Sequence, residues 1–374
     1  MRIAIDARMY GPKITGIGNY VKYLTDAIFK IDQQNEYIIF LNEPDFTDFQ
    51  PPSARVKKIK VNTHWYNWRE QIILGLKYNR MAKKYNIDLF HFPQFNVPLT
   101  FRKNFVVTIH DITPKFFPGP KVKKSLVRKF AYNLVFNNAI KKAKTIITVS
   151  NQTKNDIVKY FKVNPAKIQV VYNGLITSFR KVQNYVIINE LKNKYQLKKP
   201  FIFYTGVWRD HKNIPGLIAA FELLKNDYNL DIQLVLGGNS ENQDPKIKPL
   251  LKKLNDPDII IPGFIPENEL STFYTAASIT VIPSFCEGFG MIATESIACE
   301  TPVAASETTS IPEILGQGAL YFNPQNPAGI AAVIVKILKN ESLQNELVAK
   351  AKLAIKKFSW QTCAAETLSI YNSA

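Results

Sequence analysis

The sequence predicts an α/β protein built from two doubly wound, Rossmann-like domains that face a central cleft. A chain of 374 residues is too long for one ordinary hydrophobic core. Short apolar runs alternate with amphipathic helical stretches, as in parallel sheets covered on both faces. This alternation stops near residue 176 and restarts at residue 201. We therefore expect an N-terminal domain over residues 1–180 and a C-terminal domain over residues 181–358.

In the first domain, seven short apolar runs predict strands and the stretches between most of them predict helices. The strands are expected at 3–6, 37–41, 56–61, 89–92, 106–109, 145–149 and 167–171. Helical spacing of apolar residues is found at 18–29, 68–84, 121–141 and 151–161.

In the second domain the same alternation begins after a hinge with a short helix at 176–200. Strands are expected at 201–204, 232–236, 259–261, 279–282 and 303–304, and helices at 214–225, 246–254, 267–276 and 290–298. A further amphipathic helix is expected at 359–374. Since ligands of such sheets bind beyond the carboxyl ends of the strands, two facing domains predict a ligand cleft between them.

Composition favours a cytoplasmic protein. The chain is 46% hydrophobic and 21% charged, which is typical of a globular fold, and no run of eighteen apolar residues is long enough to span a bilayer. Asp6 and Arg8 interrupt the apolar N-terminus that a secretory signal needs. The three cysteines show neither a disulfide framework nor a metal-binding spacing.

The net charge of +18 is concentrated in the first half of the chain. Residues 1–180 contain 30 Lys and Arg against 11 Asp and Glu, whereas residues 181–374 contain 18 against 19. Residues 115–144 alone hold nine basic and no acidic residues, with apolar residues interleaved. This pattern predicts a basic amphipathic helix that rests on an anionic membrane surface. The alternative is a core-packed helix whose lysines only face water, and we expect no nucleic-acid binding because no reading motif is present.

The stretch from Ser284 to Glu295 carries the clearest chemical signal. It comes after an apolar run and contains Gly288-Phe289-Gly290 before a predicted helix, so backbone N–H groups can point at a phosphate. Glu287 can hold sugar hydroxyls and Glu295 a ribose, which predicts a nucleotide-sugar site. The alternative is a surface glutamate succeeded by a helix glutamate near the positive helix end.

A second loop, at residues 204–213, comes after the first strand of the second domain. After Gly206 it contains Arg209 and Lys212, which can neutralise a diphosphate without a metal. The alternative is a solvated turn in which Asn213 caps the next helix. We identify no obvious carboxylate pair for a metal-bound diphosphate and expect neither a metal nor a cofactor.

Two segments of the first domain also carry groups that could contact a substrate. His110 and Asp111 end a strand, where the imidazole can handle a proton or contact a sugar and the carboxylate can orient the imidazole or cap the next segment of the chain. The segment 15–21, with Gly16, resembles a dinucleotide fingerprint but lies too far beyond Asp6 for one. It better suits a loop that approaches phosphate or acceptor.

Taken together, these motifs resemble the retaining glycosyltransferases of family four, which have the GT-B fold. The resemblance covers nearly the full length. It is carried by Ile5-Asp6-Ala7-Arg8, Thr15-Gly16-Ile17-Gly18, His91-Phe92-Pro93, His110-Asp111, Val149-Ser150, Val171-Tyr172-Asn173-Gly174, the loop 206–213, Pro262-Gly263-Phe264 and the stretch 287–295.

The resemblance implies a role for each matching position. The first domain would bind the acceptor and the second the nucleotide sugar, while helix 359–374 would pack back on the first domain. Arg209 and Lys212 would hold the diphosphate, although Asp210 and His211 separate them here, whereas many members of the family place the arginine directly before the lysine or just after the glycine. The remaining assignments are Glu287 with the amides of Gly288, Phe289 and Gly290 for the transferred sugar and phosphate, Glu295 for the ribose, Gly263 and Phe264 beside the base, Gly16 and Gly206 at the donor, His110 beside the reacting sugar, and Asp111 and Asn173 at or behind the acceptor.

We therefore expect a retaining, metal-independent hexosyltransferase that uses a nucleotide-diphosphate sugar. The resemblance to mannosyltransferases of cell-surface polysaccharide synthesis makes GDP-mannose the first expectation and a UDP-sugar the second, with a glycan or lipid-linked acceptor. Contact through residues 115–144 would make the protein peripheral on the inner face of the plasma membrane. A GT-B sugar-nucleotide epimerase or hydrolase and a non-catalytic polyanion-binding protein remain alternatives.

Overall fold

The chain folds into two compact units. The structure, a computed structural model, describes residues 1–11, 15–63, 65, 67–118, 125–238 and 247–374. The first unit comprises Met1–Gly174 together with Phe358–Ala374, and the second comprises Leu175–Lys357.

The first unit contains a seven-stranded parallel sheet in the order β3-β2-β1-β4-β5-β6-β7. Its strands are β1 (Arg2–Asp6), β2 (Glu36–Leu41), β3 (Val56–Lys60), β4 (Leu89–Phe92), β5 (Phe105–Ile109), β6 (Thr145–Thr148) and β7 (Ile168–Val170). The inner strands are buried along their length, which explains why they read as continuous apolar runs.

Helices cover this sheet. They are α1 (Thr15–Ile31), α2 (Asp45–Asp48), a π-helical turn (Glu70–Leu74) continued by α3 (Gly75–Lys84), α4 (Thr113–Phe116), α5 (Leu126–Lys142), α6 (Asn151–Phe161) and, from the C-terminus, α15 (Trp360–Ser373). The last of these packs along α1. Where the sequence predicts one helix over 121–141, α5 begins at Leu126 because the Ser125 hydroxyl caps it by accepting the Arg128 N–H. Lys121, Lys123 and Lys124 lie outside the described residues.

The second unit contains a six-stranded parallel sheet in the order β10-β9-β8-β11-β12-β13. Its strands are β8 (Phe201–Tyr204), β9 (Gln233–Gly237), β10 (Ile259–Gly263), β11 (Ile279–Ile282), β12 (Val303–Ser306) and β13 (Leu320–Phe322). Its helices are α7 (Tyr185–Lys194), α8 (Ile214–Asn226), α9 (Ile247–Leu254), α10 (Glu267–Ala276), α11 (Met291–Ala298), α12 (Ile311–Leu315), α13 (Pro327–Leu338) and α14 (Glu341–Ile355).

The predicted pair of doubly wound α/β units is confirmed. The sequence-based prediction stopped at β12 and therefore omitted β13 and the helices α12, α13 and α14. In both sheets the strand order reverses beside the first strand of the unit, β1 or β8, which is where ligands of such folds bind. Within the described residues, no helix is both long and apolar enough to cross a membrane.

Candidate active site

Two loops of the second unit meet at the carboxyl edge of its sheet. They come after β8 and β11, which are paired neighbours in that sheet. The Phe285 N–H donates to the carbonyl oxygen of His211 at 2.8 Å, and the Asn213 side-chain amide donates to the carbonyl oxygen of Pro283 at 3.1 Å. The two segments that the sequence marks as a nucleotide-sugar site therefore form one surface.

An ion pair lies at the centre of this surface. The Lys212 ammonium is 2.7 Å from Glu287 Oε1 and 2.9 Å from Oε2. The Ser284 hydroxyl donates to the same Oε1 at 2.6 Å. Both charged side chains are largely enclosed, at 15% exposed for Lys212 and 11% for Glu287. The site thus holds a cation and a carboxylate in fixed positions, and the sequence had suggested no role for Ser284.

The loop after β8 depends on close backbone packing. Gly206 has a φ of +144°, and a Cβ on Gly238 would lie 1.8 Å from the Gly206 carbonyl oxygen. Beneath the loop, the buried Trp208 indole donates to the carbonyl oxygen of Gly237 at 3.1 Å. These contacts fix the loop that carries Arg209 and Lys212. A tryptophan within a mostly polar loop was the sequence signal for this anchor.

Arg209 presents the second cation of this loop. It is exposed, and no hydrogen bond or ion pair holds its guanidinium among the residues that the structure describes. Burial, together with the charges of Lys212 and Arg209, lowers the pKa of the intervening His211 to about 3. His211 is consequently neutral at neutral pH, so Arg209 and Lys212 supply the positive charge of the loop.

The glycine loop after β11 leads into α11. Gly290 adopts a left-handed φ of +85°, and a Cβ there would lie 2.9 Å from Ile311 Cγ1. This turn starts α11 at Met291, so the unsatisfied N–H groups of its first turn and its positive dipole end lie next to Glu287 in the chain. The arrangement suits an anionic phosphate oxygen.

The position predicted to hold a ribose is half-buried on α11. The Tyr274 hydroxyl donates to Glu295 Oε2 at 2.8 Å, and burial raises the pKa of Glu295 to about 7. At the end of β10, the edge strand that pairs with β9, the Gly263 carbonyl oxygen accepts the Gly238 N–H at 2.8 Å. Phe264 comes next as an exposed ring at the same carboxyl edge of the sheet, where a base can stack.

In the first unit, His110 has a defined tautomer. Its Nε2 lies 2.8 Å from the Pro93 carbonyl oxygen, which can only accept, so Nε2 carries the proton. Burial lowers the His110 pKa, which keeps the ring neutral and leaves Nδ1 as an acceptor. The ring also packs edge-on against Tyr20, with centroids 4.7 Å apart.

The other first-unit residues predicted from the sequence have distinct environments. Asp111 accepts the Thr113 N–H at 2.8 Å, two residues along the chain, but the N-cap of α4 is Ile112 and no side chain caps that helix. Asn173 is buried, and its Oδ1 has no hydrogen-bond partner among the described residues. Gly16 lies in the first turn of α1, next to residues 12–14, which are outside the described part of the chain.

A buried polar chain that sequence reasoning missed runs through the same unit. The His91 ring bonds the Tyr371 hydroxyl through Nδ1 at 2.7 Å and the Thr108 hydroxyl through Nε2 at 2.8 Å. Thr108 in turn bonds the Tyr20 hydroxyl at 3.1 Å. Because Tyr20 packs on His110, this chain connects α15 to the candidate histidine. A separation of 280 residues between His91 and Tyr371 left no local signal for it.

One Asp-x-Asp sequence does occur, although the sequence-based search for a metal-ligand pair overlooked it. Asp256 and Asp258 stand before β10, and Lys225 pairs with both at 2.9 and 2.8 Å. Lys199 also pairs with Asp258. These carboxylates are held in an ion-pair cluster at the amino end of β10, opposite to the edge that carries Lys212 and Glu287.

Comparison with known proteins matches this fold and these loops to glycosyltransferases. Residues 14–179 match the family model described as Glycosyltransferase Family 4, and residues 188–354 match the model described as Glycosyl transferases group 1. The O-antigen chain mannosyltransferase B of Escherichia coli is 28% identical over 378 residues, covering 96% of each chain.

Solved structures show the same architecture. Sucrose-phosphate synthase from Thermosynechococcus elongatus superposes with a TM-score of 0.79 at 19% identity, over 100% of this chain and 98% of that one. Anabaena HepE in complex with UDP and glucose superposes with a TM-score of 0.76 at 17% identity, over all of both chains. The fold is therefore GT-B, as predicted.

The fold and the two family matches define a glycosyltransferase. More specifically, the first half of the chain matches the Family 4 model and the second half the group 1 model, so the predicted family-four-like GT-B glycosyltransferase is confirmed.

Proposed function

We propose that this enzyme transfers mannose from GDP-mannose to a glycan or lipid-linked acceptor during synthesis of a cell-surface polysaccharide. The transfer would retain the anomeric configuration and need no metal. The observation that carries the proposal is the cluster formed by Lys212, Glu287 and the start of α11. The mannosyltransferase of the E. coli O antigen, similar along the whole chain, supports the choice of sugar and product.

In the proposed chemistry, charged and N–H groups of the second unit stabilise the leaving group electrostatically. The bond between the anomeric carbon and the leaving phosphate oxygen breaks, and its electron pair stays on the nucleotide diphosphate. Lys212, Arg209 and the N–H groups at the start of α11 stabilise the growing charge. The acceptor hydroxyl oxygen bonds to the anomeric carbon from the same face, and its proton passes to the departing phosphate oxygen.

Other residues would bind and orient the substrates. Glu287 accepts hydrogen bonds from hexose hydroxyls, and Glu295 accepts them from the ribose. Phe264 stacks on the base, with Gly206, Gly263 and the glycines of the second loop lining the donor. His110 accepts a hydrogen bond from a sugar hydroxyl through its free Nδ1. Asp111, Asn173 and Gly16 remain candidates for support of the acceptor.

The donor can be identified by thermal unfolding with a panel of GDP- and UDP-sugars. A true donor at a hundred times its Kd stabilises the folded state by about 2.7 kcal/mol. We expect GDP-mannose to raise the Tm most, and Lys212→Ala to abolish the rise. A larger shift with a UDP-sugar would reassign the donor; HepE, which holds UDP and glucose, makes UDP-glucose the natural competitor to include.

Transfer itself is tested with a mannosylated oligosaccharide as acceptor and EDTA in the assay. We expect a product whose new linkage has the α configuration of the donor, with the rate unaffected by EDTA. Donor consumed equally without acceptor would indicate a hydrolase or an epimerase. An inverted linkage would reject the retaining mechanism.

We further propose that the enzyme works in the cytoplasm on the inner face of the plasma membrane, through the basic residues of 115–144. In the described part of this segment, α5 exposes Arg128 and Lys129 beside apolar side chains. A lipid-linked acceptor would be reached from such a position.

A further inference from the structure

An exposed apolar stripe crosses a second helix of the first unit. Trp68, Ile72, Ile73 and Leu76 lie on or just before the π-helical turn and α3, and each is between 48 and 63% exposed. Their spacing places them on one face, while Leu74 and Tyr78 fill the core from the opposite face. Four large apolar side chains that are exposed to water on one helical face indicate a binding surface.

The exposed charges on the helical segment that carries this stripe have a single sign. Over residues 68–84 the only acidic residue is Glu70, and it is fully buried, 2.7 Å from the equally enclosed Arg8. The outward charges are therefore Arg69, Lys77, Arg80, Lys83 and Lys84, all of which are exposed. An apolar stripe on a helix whose own exposed charges are all cations is the pattern of a helix that lies in an anionic lipid interface.

Helix α5 repeats the pattern nearby. Leu126, Val127, Phe130 and Leu134 are between 45 and 86% exposed, and no acid occurs over residues 115–144. The loop after β4 lies between the two helices. On one side, Phe95 packs on Tyr132 of α5, with centroids 5.3 Å apart. On the other side, Asn96 Oδ1 accepts the Gln71 side-chain amide at 2.9 Å.

We propose that the two stripes form one membrane-docking face, here called the lipid face, which seats the first unit on anionic phospholipid. It consists of Trp68, Ile72, Ile73, Leu76, Leu126, Val127, Phe130 and Leu134. This inference rests on the proposed function, because a lipid-linked acceptor requires the enzyme at a bilayer. The helix at 68–84 would then be the second half of the membrane contact, beside residues 115–144.

The chemistry favours lipid over other partners. A soluble polyanion would engage the lysines and arginines but leave eight apolar side chains in water. Lipid satisfies both, because acyl chains bury the apolar side chains and anionic headgroups meet the cations. Trp68, at the edge of the stripe, is the residue type enriched at membrane–water interfaces.

Tryptophan fluorescence provides a direct test. The chain has four tryptophans, of which Trp208 and Trp360 are buried while Trp68 is 63% exposed. Vesicles of phosphatidylcholine with one-third phosphatidylglycerol should shift the emission to the blue, and pure phosphatidylcholine much less. Trp68→Phe should remove most of the shift without changing the Tm. A full shift in that variant would overturn the role of Trp68.

Sedimentation with the same vesicles tests the face as a whole. We expect Ile72→Ser/Ile73→Ser to weaken binding at least tenfold. The matched control is Val186→Ser/Ile187→Ser, which removes comparable exposed apolar surface from α7 of the second unit and should bind as the parent does. Equal binding by the Ile72→Ser/Ile73→Ser variant would refute the lipid face. A second result would also refute it: the parent is a dimer, the variant is a monomer, and vesicle binding is unchanged. The face would then join two copies of the protein and not dock on lipid.

Activity separates this inference from the proposed function. The Ile72→Ser/Ile73→Ser variant should transfer sugar to a soluble acceptor at the parent rate, and lose at least tenfold with a lipid-linked acceptor in vesicles. If the parent binds vesicles through this face but transfers sugar to no acceptor, the lipid face stands and the proposed function fails. If the variant retains both vesicle binding and transfer, the lipid face fails alone.

Discussion

Lys212 and Glu287 form an ion pair in the second unit, with the ammonium 2.7 and 2.9 Å from the two carboxylate oxygens. The two residues come from loops after adjacent strands and are 75 positions apart in the chain. A diphosphate entering this site would compete with Glu287 for the Lys212 charge. We expect that exchange to free the Glu287 carboxylate for sugar hydroxyls, so that binding of the diphosphate and of the sugar are coupled.

Removing either partner of this pair should impair catalysis. Lys212→Ala and Glu287→Ala are each expected to lower kcat on the order of a hundredfold, through loss of contacts that strengthen in the transition state. Steady-state kinetics with the donor found by thermal shift would measure this. Lys350→Ala is the matched control, because it breaks an exposed ion pair with Glu346 in the same unit. Unchanged kinetics in Lys212→Ala would refute its proposed role.

Ser284 should act as a positioning residue for Glu287. It is fully buried and donates to Glu287 Oε1, so Ser284→Ala leaves the carboxylate free to rotate toward Lys212 alone. We expect about a tenfold loss of kcat/KM, in line with the net value of one charge-assisted hydrogen bond. Ser284→Thr, which keeps the hydroxyl, should recover part of it. A Tm that falls equally in both variants without a difference in kinetics would indicate a merely structural serine.

The two loops of the candidate site could be predicted because the information for them is local. A strand, a glycine and a helix start place Lys212 and Glu287 at the carboxyl ends of strands, and the pairing of β8 with β11 then brings the loops together. The hydrogen bonds that hold the loops were not predictable. Trp208 and Asn213 bond carbonyl groups that are distant in the chain, and residue type alone does not identify an acceptor.

In the first unit the limits of sequence reasoning were different. Helical periodicity at 68–84 was correct, but it does not say how wide the buried face is, so the exposed Trp68 stripe was missed. The segment begins with a π-helical turn, which shifts the register of the side chains relative to an α-helix. The bond between His91 and Tyr371 depends on α15 returning to this unit, a tertiary event that no short-range pattern encodes.

Donor binding should depend on pH through Glu295. Its pKa is raised from 4.5 to about 7, so near neutrality a substantial fraction is protonated and accepts ribose hydrogen bonds poorly. Affinity for the sugar nucleotide should therefore increase as the pH rises from 6 to 8, and binding at pH 7 should release protons. Isothermal titration calorimetry in buffers of different ionisation enthalpy would detect the release.

The same raised pKa of Glu295 has the opposite effect on the folding stability of the unliganded protein, which should fall as the pH rises. A carboxyl whose folded pKa exceeds its unfolded value disfavours the folded state as the pH rises from 4.5 through 7. Glu295→Gln should remove both this contribution and most of the pH dependence of binding. The diester GDP-mannose must be used, because the terminal phosphate of free GDP itself titrates near pH 6. A pH dependence of binding that persists in Glu295→Gln would exclude Glu295 as its source.

The buried chain from Tyr371 to Tyr20 should stabilise the first unit. Burial lowers the pKa of His91 to about 3, so the ring is neutral and bonds Tyr371 through one nitrogen and Thr108 through the other. Tyr371→Phe removes one partner and leaves a buried ring nitrogen unsatisfied, at a cost of about 1–3 kcal/mol. Chemical denaturation would measure that loss.

Tyr228→Phe, at a partly exposed position in the second unit, is the control and should change stability little. This hydrogen-bonded chain ends at Tyr20, whose ring packs on His110, so we also expect Tyr371→Phe to lower kcat more than it raises KM. Wild-type stability in Tyr371→Phe would show that the bond between α15 and β4 contributes nothing to the fold.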